Sequence, residues 1–271
     1  MVKTVKSVFY RFGIDILKLY WQLKGSRHIT AFGDEFKVTP ETLFPNHRHL
    51  RLPRRSCLSE IVGYTDFVQM HAVFRYISEI TGTPVIIDVG AHHGAYAVIL
   101  GKAVQRVGGK VIAVEPNPKS YKILSGNVHL NGLEGTVICE QKAVLDRSGV
   151  GNIEIQGTES HLKATGTGYE VEVTTLEYLM NKHNVGNVAL LIIDVEGAEL
   201  LVLQGFPWES VKPGRIYCEL HPYAWKDFGY TGKDVRNFLK DHGYRCIDMY
   251  LNEHNVFDSV GYVGPTLLMP T

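Results

Sequence analysis

The sequence predicts an α/β fold with a doubly wound, mostly parallel sheet, and three observations support this prediction. From about residue 60 onward, short apolar runs alternate with segments of helical periodicity, which is the order of elements that a parallel sheet with crossover helices needs. Residues 85–89 form a short apolar run with the character of a buried strand. The 271 residues, 45% of them apolar, are ample for the core of one such domain with a short extension.

The predicted elements follow one another without internal repeats. A helix over 66–80 ends at the turn of Gly82 and Pro84, and a helix over 119–130 ends at Asn131 and Gly132, because these residue types interrupt regular structure. The other helices are expected at 95–107, 176–183, 198–206 and 233–242. Strands are expected at 85–89, 110–115, 136–141, 188–194, 215–220, 244–249 and 261–267.

Two further segments, 150–156 and 169–174, are typical of half-exposed strands. They flank a polar, glycine-containing loop over 157–168 that includes Ser160 and His161. Two interpretations of this loop stay open: a mobile lid over a binding site, and an ordinary solvated loop.

We divide the chain into a basic N-terminal extension and connector, residues 1–55, and one domain, residues 56–271. Residues 1–55 contain eleven Lys and Arg against four Asp and Glu, a net charge of +7. Within them, 7–23 has apolar residues at helical spacing and basic residues elsewhere around the helix. This helix is interpreted either as a peripheral contact with an anionic membrane or as a helix that docks on the domain or on a second copy of the chain.

Charge and cysteine content exclude several classes of protein. The whole chain has 28 basic and 28 acidic side chains, so we expect no nucleic-acid partner. No apolar run approaches the roughly 20 residues that a membrane-spanning helix needs. The four cysteines form no C-x-x-C pair, which indicates free thiols in a reducing compartment. We therefore expect a cytoplasmic protein, peripheral to a membrane if 7–23 binds lipid.

The first strand is followed by a loop of small residues, Asp88-Val-Gly90-Ala91-His92-His93-Gly94. Its glycines let the backbone come close to a ligand at the start of the next helix. A dinucleotide loop of the pattern G-x-G-x-x-G has a glycine where this chain has Asp88, a carboxylate that would repel phosphate. The loop therefore favours a ligand that carries an ammonium or sulfonium cation.

The second strand ends at Glu115-Pro116-Asn117, and an acid at this position can accept hydrogen bonds from both hydroxyls of a ribose. In the structural interpretation, Glu115 is only a charge at a helix N-terminus and Asp88 only caps a loop. The combination of strand, glycine loop, helix and acidic tip favours a site for a nucleoside-containing cofactor.

Six stretches of the sequence resemble one known family. IIDVGAHHGAY and AVEPNP resemble motifs I and II of the class I S-adenosylmethionine-dependent methyltransferases. Together with KAVLD, VTTLEYL, LLIIDVEGAELLVLQG and YCELHP, they resemble the FkbM family over about residues 84–250, with IDVEGAE as the most specific element. The resemblance implies a Rossmann-like fold, S-adenosylmethionine as cofactor, and O-methyl transfer to a hydroxyl of a sugar, glycan or natural product.

The resemblance also implies roles for individual residues. Asp88, Gly90 and Gly94 match the cofactor loop, Glu115 the ribose contact, and Ala143 the wall beside the adenine. To the cofactor site we add the neighbouring residues Ala91, His92, Tyr96, Pro116, Asn117 and Asp194, and we expect the Tyr96 ring to pack under the cofactor or in the core. The family loop usually reads Asn-x-Gly where this chain has His92-His93-Gly94, so no contact of His92 follows from the resemblance.

Methyl transfer also needs groups that position an acceptor hydroxyl and remove its proton. The candidates follow the fourth and fifth strands of the predicted sheet: Asp194, Glu196, Glu219 and His221. Because neighbouring strands lie about 4.8 Å apart, the ends of these two strands would bring the four side chains together. His221 has the pKa best suited to a general base near neutral pH, and Glu219 or Asp194 can orient it or accept a proton themselves.

Other interpretations of these residues stay open. The four candidates are hard ligands that suit Mg²⁺ or another divalent cation, although catalysis without a metal is favoured because no full ligand set is evident. Glu196 and Gly197 alone are also compatible with the first turn of a helix. We expect an aromatic wall for a small-molecule or glycan acceptor from Tyr223, Trp225 and Phe228.

Two functions outside methyl transfer remain as alternatives. A nicotinamide-dependent oxidoreductase is disfavoured by Asp88, and a catalytically silent nucleoside-binding protein by the four acceptor-side residues.

Overall fold

The computed structural model describes residues 27–31, 34–39, 42, 73, 75–156, 159–163, 169–247, 257–258 and 264–271. The expected basic helix over 7–23, Cys57 and most of the connector before residue 55 lie outside these residues. Among the described residues, no helix combines the length and apolarity that crossing a bilayer requires. Cys139, Cys218 and Cys246 are free thiols, as expected.

The described elements are, in chain order, β1 (Arg27–Ala31), β2 (Asp34–Val38), β3 (Val85–Val89), α1 (Ala95–Gln105), β4 (Lys110–Val114), α2 (Pro118–Leu130), β5 (Val137–Glu140), β6 (Ala143–Val144), β7 (Gly149–Gln156), β8 (Glu159–Lys163), β9 (Tyr169–Thr174), α3 (Leu176–Lys182), β10 (Leu190–Ile193), α4 (Glu199–Gln204), β11 (Arg215–Leu220), α5 (Gly232–Asp241), β12 (Tyr244–Ile247) and β13 (Gly264–Pro270). A 3-10 turn, Trp225–Phe228, precedes α5.

The main sheet has seven strands in the order β12-β13-β11-β10-β3-β4-β5. The five strands from β11 to β5 run parallel to one another, and β13 runs antiparallel to β11 and β12 on either side of it. The prediction of a doubly wound, mostly parallel sheet is confirmed.

Each face of this sheet is covered by helices, which explains why the central strands are mostly apolar. Ile87 and Leu191 point to the face covered by α3, α4 and α5, whereas Ile86 and Leu190 point to the face covered by α1 and α2. Successive side chains of a strand face opposite sides, so a strand buried on both sides needs apolar residues at every position.

A smaller sheet, in the order β6-β9-β7-β8, follows β5. The expected strands over 150–156 and 169–174 are present as β7 and β9, which pair antiparallel. The expectation of a loop over the whole of 157–168 is wrong for residues 159–163, because β8 pairs antiparallel with β7. The residues of β8 are mostly polar, so the apolar periodicity that marks a strand in the sequence is absent here.

A hairpin of β1 and β2 lies in the extension, where only a helix and an irregular connector are expected. Phe36 and Val38 of β2 are buried in the core on the α1 and α2 side of the sheet. Asn131, at the end of α2, accepts a hydrogen bond from the Lys37 N–H at 2.9 Å and donates one to the Lys37 carbonyl at 2.7 Å. Asn127 accepts one from the Thr39 N–H at 2.8 Å. The hairpin is therefore fixed to α2.

Candidate active site

The loop between β3 and α1 folds back over the end of β4. The N–H groups of Gly90 and Ala91 both donate to the Val114 carbonyl, at 2.9 and 3.0 Å. Gly90 has a φ of +83°, and a Cβ atom on it would lie 1.7 Å from the Asp194 carbonyl oxygen. Only glycine fits this position, because the chain is left-handed there and passes against the backbone after β10. Gly90 thus joins the predicted cofactor loop directly to the predicted acceptor side.

Asp88 and Glu115 are two buried carboxyl groups beside this loop. Asp88, at 2% exposure, is the last but one residue of β3, and its Oδ2 has no hydrogen-bond partner among the described residues. Glu115 accepts hydrogen bonds from the N–H groups of His92 and Asn117, both at 2.8 Å. Burial, and for Asp88 the charge of Glu115, raises the pKa of each group to about 7. A buried acid without a full set of donors is a place where a ligand with hydroxyl or cationic groups would be held.

The other predicted cofactor residues surround these two acids. His92 has a φ of +49° and stacks on His93 with ring centroids 3.8 Å apart. Burial and the neighbouring His92 lower the pKa of His93 to about 3, so His93 is uncharged. Asn117 caps α2, accepting from the N–H groups of Lys119 and Ser120. Gly94 precedes α1, and the Tyr96 hydroxyl lies 2.9 Å from that of Tyr217. Pro116 is half-buried beside Glu115, and Ala143 is buried on β6.

The structure brings the four predicted acceptor-side residues together. Ile193 of β10 pairs with Cys218 of β11, so Asp194 and Glu219 follow at neighbouring positions. From His221 Nε2, the nearest carboxylate oxygen of Glu196 is at 3.5 Å, that of Asp194 at 3.9 Å and that of Glu219 at 4.0 Å. Three acids therefore face the same ring nitrogen.

The charge state of His221 follows from these acids. The ring is 2% exposed, and burial lowers its pKa, but the hydrogen bond with Glu199 and the charges of Glu199, Glu196 and Asp194 outweigh burial and raise the pKa to about 9. The pKa of the partly exposed Asp194 is raised by desolvation and by the charge of Glu219. The acids around the ring thus favour the cationic form of His221 at neutral pH, which differs from the ordinary histidine pKa expected from the sequence.

Glu199 is a part of the site that the candidate set does not contain. It is fully buried, and its Oε1 lies 2.7 Å from His221 Nδ1. The IDVEGAE motif includes this residue, but the motif alone does not show that Glu196 and Gly197 both have positive φ and turn Glu199 inward. The turn needs glycine at 197, because a Cβ atom there would meet that of Ala224 at 2.5 Å.

The donor atoms of Asp194, Glu219 and His221 lie within 4.8 Å of one another, a set that suits a divalent cation. Two carboxylates and one imidazole, with the second ring nitrogen held by another carboxylate, is a common ligand chemistry for such ions. Glu196 is not in this set, and its Oε2 accepts a hydrogen bond from the Tyr223 hydroxyl at 2.9 Å.

The expected aromatic wall is reduced to one exposed ring. Trp225 is buried and donates to Glu199 through Nε1 at 2.7 Å, so it is unable to face an acceptor. Phe228 is half-buried against the turn at Gly197. Tyr223 is 50% exposed and meets the His221 ring edge to face, with centroids 5.8 Å apart. It is the member of the three that is available for a ligand.

A cavity of about 310 Å³ lies elsewhere, between the start of β7 and the 3-10 turn. It is lined by residues that include Arg147, Asn152, Leu201 and Phe228, and of the predicted site residues only Phe228, from the expected aromatic wall, is among them.

Comparison with solved structures finds methyltransferases at low sequence identity. The chain is similar to the methyltransferase FkbM from Methylobacillus flagellatus KT (14% identity, 69% of this chain and 43% of that one, TM-score 0.45). It is also similar to a precorrin-6y C5,15-methyltransferase from Geobacter metallireducens GS-15 (14% identity, 74% of this chain and 88% of that one, TM-score 0.40). A third similar structure is a putative methyltransferase from Streptococcus mutans in complex with SAH (12% identity, 73% of this chain and 94% of that one, TM-score 0.43). The chain thus spans less than half the length of the first of these proteins.

The family of the chain is shown by its match to a protein-family model rather than by these structures. No curated protein matches the chain. The model of the methyltransferase FkbM domain matches residues 88–246, a range that begins at Asp88 and includes every predicted acceptor-side residue. This range is more than half of the 271 residues. The chain belongs to the FkbM methyltransferase family.

Proposed function

We propose that this protein transfers a methyl group from S-adenosylmethionine to a hydroxyl of a sugar, glycan or natural product. One observation carries the proposal. The buried acids of the cofactor loop and the acidic cluster around His221 occupy adjoining strand ends, and Gly90 packs against the backbone of Asp194 between them. Ligands of such sheets bind outside the carboxyl ends of the strands.

The predicted cofactor site has the charge that S-adenosylmethionine needs. Asp88 and Glu115 are acids, which attract a sulfonium or ammonium cation and accept hydrogen bonds from the two ribose hydroxyls. Glu115 already braces the loop through the backbone of His92 and Asn117, and its remaining lone pairs are available to hydroxyls. Asp88, which stands where a dinucleotide loop has its first glycine, would repel the pyrophosphate of a nicotinamide cofactor and so disfavours the oxidoreductase.

The acceptor side can hold and deprotonate a hydroxyl. In the reaction a C–O bond forms as the C–S bond breaks, S-adenosylhomocysteine leaves, and the hydroxyl proton must be accepted. Because His221 is already cationic at neutral pH, we assign the proton to a carboxylate of Asp194 or Glu219. The His221 imidazolium then stabilises the negative charge that develops on the acceptor oxygen.

The second route open to this cluster uses a divalent cation. Asp194, Glu219 and His221 would hold it. Such a cation would lower the pKa of a bound hydroxyl. Its ligation would require the neutral form of His221, so binding would release a proton.

The test is transfer of isotope-labelled methyl groups from S-adenosylmethionine to a panel of sugars, glycans and hydroxylated natural products. The panel is assayed with EDTA and again with added Mg²⁺. Labelled methyl ethers that form with the wild type and not with His221→Ala would support the proposal. Cofactor binding without transfer to any acceptor would favour the catalytically silent protein, and transfer to nitrogen or carbon would reject the O-methyl assignment.

A further inference from the structure

Glu199 is too deeply buried to touch an acceptor, yet both oxygens of its carboxyl group make hydrogen bonds with the protein. It is 0% exposed. Its Oε1 accepts from the Gly197 N–H at 2.9 Å and contacts His221 Nδ1 at 2.7 Å, and its Oε2 accepts from Trp225 Nε1 at 2.7 Å and from the Tyr230 hydroxyl at 3.4 Å. Each oxygen of this buried carboxyl group therefore accepts a hydrogen bond from an N–H group, which compensates for its removal from water.

The hydrogen bonds of Glu199 indicate which nitrogen of the His221 ring carries a hydrogen toward it. Oε1 of Glu199 already accepts from the Gly197 N–H and Oε2 from Trp225 Nε1, so both oxygens of this carboxyl group act as acceptors. Nδ1 of His221 must therefore carry the proton, and Nε2 is the nitrogen that faces Asp194, Glu196 and Glu219.

A purely structural role is the competing explanation. Glu199 links α4 to the segment 225–230, and Tyr230 strengthens the link because its hydroxyl also donates to the Gly197 carbonyl and accepts from the Leu200 N–H. The contacts from Trp225 and Tyr230, however, all reach Oε2. The contact with His221 is made by Oε1, so the two roles can be separated by substitution.

We propose that Glu199 is a positioning residue that fixes the orientation of His221 and the hydrogen on its Nδ1, so that Nε2 is presented to the acceptor. The inference rests on the proposed function, since Nε2 acts only if an acceptor or its cation binds there. It holds for both routes: Nε2 donates to the acceptor oxygen when the ring is charged and binds the cation when it is neutral.

The experiment is proton NMR of protein with ¹⁵N-labelled histidine, recorded with EDTA present. A buried Nδ1–H donated to a carboxylate gives a strongly downfield resonance, and His221→Asn assigns it by its disappearance. We expect this resonance in the wild type and in Tyr230→Phe, which removes the hydroxyl near Oε2 and its contacts with Gly197 and Leu200 but leaves the contact between Oε1 and His221 in place. In Glu199→Gln it should vanish or move upfield, because a neutral amide is a weaker acceptor.

Kinetics give a second readout with the same variants. In the labelled-methyl assay, we expect Glu199→Gln to lower kcat by about 10²-fold with KM for S-adenosylmethionine changed by no more than about threefold. Tyr230→Phe should lower kcat by no more than about threefold. Equal losses in the two variants at equal loss of stability would mean a structural role and overturn the proposal.

Two outcomes distinguish this inference from the proposed function. A wild-type protein that binds S-adenosylhomocysteine but shows no downfield His221 resonance would overturn the positioning role alone, even if Glu199→Gln fails to fold. A wild-type protein that shows the resonance but binds no S-adenosylhomocysteine would reject the methyl transfer while supporting the assigned proton on Nδ1.

Discussion

At the scale of single residues, the site is organised by buried acids and by the groups that surround them. Asp88 and Glu115 are acids whose burial is only partly compensated, and their pKa values are raised to about 7. Glu199 is fully compensated and serves another residue. The number of hydrogen bonds that each buried acid receives from the protein therefore distinguishes acids that can still bind a ligand from acids that stabilise the site.

The raised pKa values of Asp88 and Glu115 predict that S-adenosylmethionine affinity depends on pH. Both groups take up protons in the empty site as the pH falls below about 7, and a cationic cofactor needs them ionised. Affinity should be constant above about pH 8 and fall below about pH 7 by about one log unit per pH unit for each group that must ionise. Calorimetric titration across this range measures it, and affinity that is flat or rises toward acid pH would contradict the assignment.

On the acceptor side, His221→Ala and Asp194→Ala should each reduce methyl transfer by ~10²-fold or more, because each removes a group that handles charge at the acceptor oxygen. Affinity for S-adenosylhomocysteine should stay within a few-fold of the wild type. His129→Ala is the control for loss of a histidine, since His129 is exposed at the end of α2. If either variant instead lost cofactor binding, that residue would belong to the donor site.

At the scale of elements, the two halves of the site are joined where β3 and β10 end. Their strands pair in parallel from Ile86 and Leu190 to Val89 and Ile193, and the Asp194 N–H donates to the Val89 carbonyl at 2.9 Å. Gly90 follows at once, with no room for a side chain. The turn after β3 and the turn after β10 are therefore packed directly against each other.

Alanine substitutions at two glycines test this coupling. Gly90 and Gly132 both have positive φ, but a Cβ atom on Gly132 has nothing within 4 Å, whereas one on Gly90 meets backbone. Gly132→Ala should cost about 1 kcal/mol of the free energy of unfolding, from backbone conformation alone. Gly90→Ala should cost several times more and abolish S-adenosylhomocysteine binding. Equal denaturation midpoints for the two variants would contradict the close approach.

The central elements were predictable because their signals are local. Strands buried on both faces are mostly apolar, and polar residues at or just after their carboxyl ends, such as Asp88 and Asp194, mark where the strands end. The β8 strand and the β1–β2 hairpin were not predictable in this way, since β8 has mostly polar residues and β2 is buried against α2 by tertiary contacts. The role of Glu199 was hidden because its partners Trp225 and Tyr230 are 26 and 31 residues away in the chain.

At the scale of the whole molecule, the sheet brings residues that are distant in the sequence together at the carboxyl ends of its central strands. The acids at 88, 115, 194 and 219 lie at or next to the carboxyl ends of four strands, which are neighbours in the order β11-β10-β3-β4. The central claim is that the carboxyl ends of these strands bind S-adenosylmethionine beside an acceptor hydroxyl. This claim depends first on the cofactor site around Asp88 and Glu115.

Calorimetric titration with S-adenosylhomocysteine tests that claim most directly, with NAD as the competing ligand. The account predicts micromolar binding of S-adenosylhomocysteine and none of NAD. Glu115→Ala should weaken binding by about 10-fold to 100-fold, the cost of losing hydrogen bonds to a charged group, whereas Glu134→Ala, at an exposed acid, should leave it unchanged. Heat from NAD and none from S-adenosylhomocysteine would contradict the donor site and, with it, the roles assigned to the acceptor side.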